Sequence, residues 1–141
     1  MIYLDYSATT PVDETVLNSF NKTTLEYIGN ANSLHKEGMK AKKLMDAATK
    51  QVADILKVKE SEIIFTSGAS ESNNLAIMGV INKYQYRGKN IITTKLEHSS
   101  ILETVNYLKE NGYNISYVKT LENGQVDLDD LKRLINDDTV L

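Results

Sequence analysis

The sequence predicts an α/β fold in which a parallel sheet carries helices on its faces. Two observations point there. Short apolar, β-branched runs alternate with helix-like segments at a spacing of roughly 25 residues, the rhythm of right-handed βαβ units. Hydrophobic periodicity also switches repeatedly from strand-like to helix-like across turns rich in Gly, Asn and Ser.

Taken in order, residues 2–10 read as an extended arm: Ile2, Tyr3 and Leu4, then the small Ser7-Ala8-Thr9-Thr10. Thr10 as a hydroxyl cap, Pro11 at the first helical position and the acids Asp13 and Glu14 predict a helix start. Val12, Val16 and Phe20 recur on one face, and Gly29 marks the expected end. Gly29-Asn30-Ala31-Asn32-Ser33 is a turn cluster. A longer helix follows, with Ala41, Leu44, Met45, Ala48, Val52 and Ile55 as its apolar stripe and Lys40, Lys42, Lys43 and Lys50 on the solvated side.

Residues 63–66 read as a strand, and Ser70 to about Lys83 as a helix turning Ile77, Val80, Ile81 and Tyr84 inward. Residues 90–94 form the next strand. Ser100 and Glu103 have capping-box spacing and open a helix carrying Leu102, Val105 and Leu108, stopped at Asn111-Gly112. Residues 114–118 are a third strand, followed by a turn at 122–125. Asp127 caps a short helix with Leu128, Leu131, Leu134 and Ile135. Thr139-Val140-Leu141 read as the opening of a fourth strand, so the chain is expected to be the N-terminal piece of a longer polypeptide.

Composition excludes several functions. A net charge of −3 gives no attraction to nucleic acid or an anionic membrane. No apolar run approaches the roughly 20 residues of a membrane span. The N-terminus lacks the features of a signal peptide, so a cytoplasmic location is expected. With no cysteine there is no disulfide, thiolate ligand or cysteine nucleophile, and with only His35 and His98 metal chemistry is not expected.

Ligands of open α/β sheets gather at the carboxyl ends of strands. Two candidates fall there. The first is the turn Thr66-Ser67-Gly68-Ala69-Ser70, where helix-start amides and a hydroxyl could hold a phosphate. The bland reading is a plain strand-to-helix loop. It is neither a P-loop, lacking Gly-Lys-Ser/Thr, nor a dinucleotide fingerprint, since Gly68 stands alone. The second is His98 in Glu97-His98-Ser99-Ser100, which reads either as a catalyst or as a capping and packing residue. Ser33-Leu34-His35-Lys36 resembles a Schiff-base lysine string, but it precedes the phosphate turn and is rejected in that role.

Four ordered stretches carry a more specific likeness. They are residues 3–11 (Tyr-Leu-Asp-Tyr-Ser-Ala-Thr-Thr-Pro), residues 29–35 (Gly-Asn-Ala-Asn-Ser-Leu-His), residues 65–74 (Phe-Thr-Ser-Gly-Ala-Ser-Glu-Ser-Asn-Asn) and residues 95–98 (Lys-Leu-Glu-His). In these the sequence resembles the cysteine desulfurases, class-V members of the fold-type I enzymes that use pyridoxal 5′-phosphate.

The resemblance implies the first part of a three-layer α/β/α large domain with a mostly parallel sheet, over residues 11–141, behind an N-terminal arm at 1–10. It assigns Ala69 and Ser70 to the phosphate cup, with Ser70 where many relatives have threonine. It assigns His98 to stacking on the pyridine ring and to proton movement. It also implies L-cysteine as substrate, a sulfur acceptor or iron–sulfur scaffold as partner, and a homodimer. The family takes sulfur from cysteine onto an enzyme thiol as a persulfide and releases alanine. Its lysine, pyridine-nitrogen aspartate, carboxylate-binding arginine and cysteine have no matching motif here, so the chain alone is expected to be inactive. A related selenocysteine-lyase-like enzyme, and a non-catalytic fragment or half of a split assembly, are the alternatives.

Overall fold

Parallel pairing of residues 90–94 with 114–118 organises the second half of the chain. In the computed structural model, which describes residues 2–141, strand β1 (Asn90–Thr94) lies beside strand β2 (Asn114–Val118), with Ile91 opposite Ile115 and Thr93 opposite Tyr117. The chain divides into two units, Met1–Ile64 and Phe65–Leu141. Each is described by itself.

The first unit begins with residues 2–10 outside any helix or strand, apart from a turn at 6–8, and Met1 of the expected arm lies outside the described residues. Helix α1 (Glu14–Glu26) starts later than Thr10 and Pro11 suggest. Asp13 is the cap, accepting the amides of Thr15 at 2.8 Å and Val16 at 3.3 Å. A carboxylate with two amide donors is a better cap than a lone hydroxyl. Helix α1 has no buried residue, and its predicted face of Val16 and Phe20 is exposed.

Helix α2 (Lys36–Leu56) follows, capped by His35, whose Nδ1 accepts the Gly38 amide at 3.2 Å. His35 is thus a capping residue. Of the predicted α2 stripe, Ala41 is buried and Leu44 and Val52 are half-buried, while Met45, Ala48 and Ile55 are exposed. Lys57 ends the helix in the left-handed region, and a single 3₁₀ turn spans Glu60–Glu62.

The strand expected at 63–66 does not form. The sheet contains only β1 and β2, and this β-branched run has no ladder partner among the described residues. Strand propensity becomes a strand only when a neighbour takes up its amides and carbonyls.

In the second unit, helix α3 (Ala69–Tyr84) leads to β1, helix α4 (Ser99–Glu110) to β2, and helix α5 (Leu128–Leu134) follows. The core is Ile81 of α3, Ile91 of β1 and Leu108 of α4, with Ile77, Met78, Tyr113, Ile115 and Val140 packed around it. The helix interval of three and four and the strand interval of two put these side chains on common faces. Helix α4 ends as predicted, at Asn111 with Gly112 at φ 86°, a conformation that favours glycine.

Residues 139–141 lie parallel to β1 on its other side. The Asn90 amide donates to Asp138, Val140 donates to Asn90, and Ile92 donates to Leu141, each at 2.9 Å. This is the start of a strand read at 139–141. Buried Asn90 ties the three segments together. Its Nδ2 donates to Thr139 Oγ1 at 3.0 Å, and its Oδ1 accepts from Ser116 Oγ at 2.8 Å. The fold is α/β with parallel strands, as expected from the alternating pattern.

Candidate functional site

The site grows from two helix starts. Each of α1, α2, α4 and α5 begins with a side chain that accepts its first amides: Asp13, His35, His98 and Asp127. Helix α3 does not. Its cap is Gly68, in an extended conformation and with no side chain to offer. Ser72 donates to the Gly68 carbonyl at 3.1 Å, while the amides of Ala69, Ser70 and Glu71 find no acceptor among the described residues. The hydroxyl of Ser70 is likewise without a partner among them, and both Ala69 and Ser70 are exposed.

The turn before these amides is tied to itself. The Glu71 carboxylate accepts the Ser67 amide at 2.6 Å and the Ser67 hydroxyl at 2.7 Å. These two donors, the hydroxyl foremost, hold the Glu71 carboxyl below its usual range. Thr66 Oγ1 contacts Ser72 Oγ and the Gly68 carbonyl. The turn is therefore fixed without consuming the donors of Ala69 and Ser70.

His98 caps α4 in place of the expected Ser100 cap. Its Nδ1 accepts the Ser100 amide at 3.2 Å and lies 3.0 Å from Ser100 Oγ. A ring nitrogen with a free lone pair serves as a cap acceptor as a hydroxyl does. Capping and a role toward a ligand, alternatives in the sequence, are compatible here, because Nε2 is left without a protein partner among the described residues and the ring is exposed. Thr94 Oγ1, at the end of β1, accepts the Leu96 amide and donates to Glu97, holding the turn that delivers His98.

A polar ladder joins the two helix starts. Asn73 Nδ2 donates to Ser100 Oγ at 2.8 Å. Asn74 Nδ2 donates to the Ser70 carbonyl at 2.8 Å, and its Oδ1 accepts from Thr104 Oγ1 at 2.9 Å. Ser70, Asn74, Ser99, Ser100 and Thr104 line one cleft of about 440 Å³. The structure thus brings Ser70 and the start of α4 to one place, with His98 attached through Ser100. Asn73, Asn74, Ser100 and Thr104 were not singled out as site residues. The available signal was spacing: Ser70 with Asn74, and Ser100 with Thr104, are each four apart on one helical face.

A second cleft of about 620 Å³, lined by residues such as Ile92, Ile101, Val126, Leu131 and Ile135, is apolar and contains neither Ser70 nor His98. Among the described residues no group of three or more His, Asp or Glu side chains is placed to hold a metal ion, and no helix is long and apolar enough to cross a membrane.

Relatives of known kind match nearly the whole chain. It is 47% identical to the cysteine desulfurase IscS of Photorhabdus laumondii, covering 99% of this chain and 35% of that protein. A solved NifS-like protein superimposes with a TM-score of 0.93 at 40% identity, covering 98% of this chain and 38% of the other. A structure described as SspA in complex with cysteine superimposes with a TM-score of 0.88 at 35% identity, covering 97% of this chain and 40% of the other. The chain spans about a third of the length of these relatives. The family profile described as aminotransferase class-V matches residues 2–141.

Proposed function

The chain belongs to the class-V aminotransferase family, and on that premise we propose that it is the cofactor-anchoring part of a cysteine desulfurase. The observation that carries this is the uncapped start of α3. Ala69 and Ser70 offer backbone amides, and Ser70 a hydroxyl, at the positive end of a 16-residue helix. A phosphate monoester needs that donor set, and the residues present fit the phosphate of pyridoxal 5′-phosphate.

When bound, pyridoxal 5′-phosphate supplies an electron sink for cleavage at the amino acid's carbons. The residues of this chain anchor and orient that group. Ala69 and Ser70 hold the phosphate. His98, exposed at the start of α4, would face the pyridine ring and hold a proton at Nε2, the nitrogen that the α4 cap leaves free. The 73–74 and 100–104 ladder keeps these two contacts in register.

In this reading residues 11–141 are the first part of the cofactor-binding large domain and 1–10 an arm. The substrate is L-cysteine, the products are L-alanine and an enzyme persulfide, and the sulfur goes to an acceptor or an iron–sulfur scaffold. The enzyme works as a cytoplasmic homodimer, and the lysine and cysteine of the reaction come from outside these 141 residues. Likeness to IscS-type desulfurases over 99% of the chain supports cysteine, rather than selenocysteine, as the substrate.

The test is alanine release from L-cysteine by a polypeptide of the relatives' length that carries this chain. Stoichiometric alanine and persulfide are expected. Release of alanine from selenocysteine alone would overturn the substrate.

A further inference from the structure

We infer that Ser100, held by Asn73, is a positioning residue that decides which ring nitrogen of His98 carries the proton. The inference deepens the reading above, since the ring it orients is the one proposed to face the cofactor. The backbone amide of Ser100 can only donate, and it lies 3.2 Å from His98 Nδ1. Nδ1 must therefore present its lone pair, and the proton of the neutral ring sits on Nε2.

A second donor reinforces the first. Ser100 Oγ lies 3.0 Å from the same Nδ1, and Asn73 Nδ2 donates to that oxygen from α3 at 2.8 Å. Because Nδ1 already presents a lone pair to the Ser100 amide, the hydroxyl serves it as a donor while its own oxygen accepts from Asn73. Both donors on residue 100 thus point at one nitrogen. The neutral His98 ring accordingly meets a ligand with an N–H donor at Nε2 and has no lone pair to offer there. A cross-helix contact between α3 and α4 thereby sets the hydrogen-bonding sense of the proposed catalytic ring.

His35 is an internal control, because its Nδ1 also accepts a helix amide, from Gly38, but bonds no hydroxyl among the described residues. The measurement is the long-range proton–nitrogen spectrum of the two histidine side chains in the ¹⁵N-labelled 141-residue chain, at a pH where both rings are neutral. A His35→Asn variant, which preserves a capping side chain, assigns the signals. His98 should show an unprotonated, pyridine-type Nδ1 and a protonated, pyrrole-type Nε2. Ser100→Thr keeps both donors and should reproduce that pattern.

Ser100→Pro removes both donors at a first-turn position that tolerates proline. It should move the two nitrogen shifts toward each other as the other tautomer becomes populated. A pyrrole-type Nδ1 in the unmodified chain, or a Ser100→Pro spectrum identical to it, overturns the inference. Should Ser100→Pro not fold, the unmodified and Ser100→Thr spectra decide alone. No cofactor is needed, so this result and the cofactor reading can fail independently of each other.

Discussion

Thr104 Oγ1 lies 2.9 Å from Asn74 Oδ1 and also 2.9 Å from the Ser100 carbonyl, so one buried hydroxyl bridges α3 and α4. Asn74 in turn holds the Ser70 carbonyl. The first turn of α3 is thereby braced from α4, close to the amides proposed to bind phosphate. The turn, tied internally by Glu71 and Ser67, thus has a further brace from a contact 30 residues away.

Thr104→Val keeps the shape of the side chain and removes the hydroxyl. It should cost about 0.5–1.5 kcal/mol, the net contribution of a hydrogen bond, because Asn74 is exposed and water can replace the lost donor. Denaturant melts of Thr104→Val, Asn74→Ala and the double variant check this. A coupling of about 0.5–3 kcal/mol is expected for residues in contact, and strict additivity would contradict the bridge.

Asn90→Ala should destabilise the sheet by about 1–3 kcal/mol. The side chain is 5% exposed and satisfies Ser116 and Thr139 together. Hydrogen exchange should show the loss first at Val140, whose amide donates to Asn90, and at Ile92, whose amide donates to Leu141. Unchanged protection there would mean that the backbone ladder alone holds residues 139–141.

Leu108→Ala should cost about 2–5 kcal/mol by leaving a cavity against Ile81 and Ile91, since the side chain is 2% exposed. Tyr107→Ala, one residue earlier and exposed, should cost far less. Equal effects of the two would place the core elsewhere.

Three carboxylates give the pH response a defined sign. Asp13 is held below its usual range by the Thr15 hydroxyl and the Val16 and Thr15 amides, Asp127 by the Asp130 amide foremost, and Glu71 by the Ser67 hydroxyl and amide. Their folded-state pKa values are depressed, so the stability they contribute is fully present above the unfolded values. It is lost as pH falls through the lower folded values. Acid melts of Glu71→Gln should show a weaker loss of stability through the carboxylate range than the unmodified chain. All three groups are exposed, so salt and solvent keep each effect small. A steeper loss in Glu71→Gln would contradict the sign.

How much of this was legible follows from where each signal resides. The α4 stop at Gly112, the Asp127 cap and the strands at 90–94 and 114–118 were readable because turn residues and periodicity act locally. The pattern at 63–66 is strand-like, yet no segment among the described residues pairs with it, which no local window can reveal. Thr10-Pro11 signals an earlier start than the helix at 14–26 has, because Asp13 is the stronger cap. The Ser70 turn and His98 were visible as motifs. The Asn73–Ser100 and Asn74–Thr104 bridges were not, since they join residues 27 and 30 apart that only the packing of α3 on α4 brings together.

The central claim is that the open start of α3 anchors a phosphate through Ser70. The direct measurement is titration of pyridoxal 5′-phosphate, and of pyridoxal without the phosphate, into a polypeptide of the relatives' length with and without Ser70→Ala. Loss of one charge-assisted bond, about 1–3 kcal/mol, should weaken the phosphorylated ligand by roughly 5- to 150-fold and leave pyridoxal unchanged. Equal affinities of the two proteins for pyridoxal 5′-phosphate, or equal losses for both ligands, would contradict it.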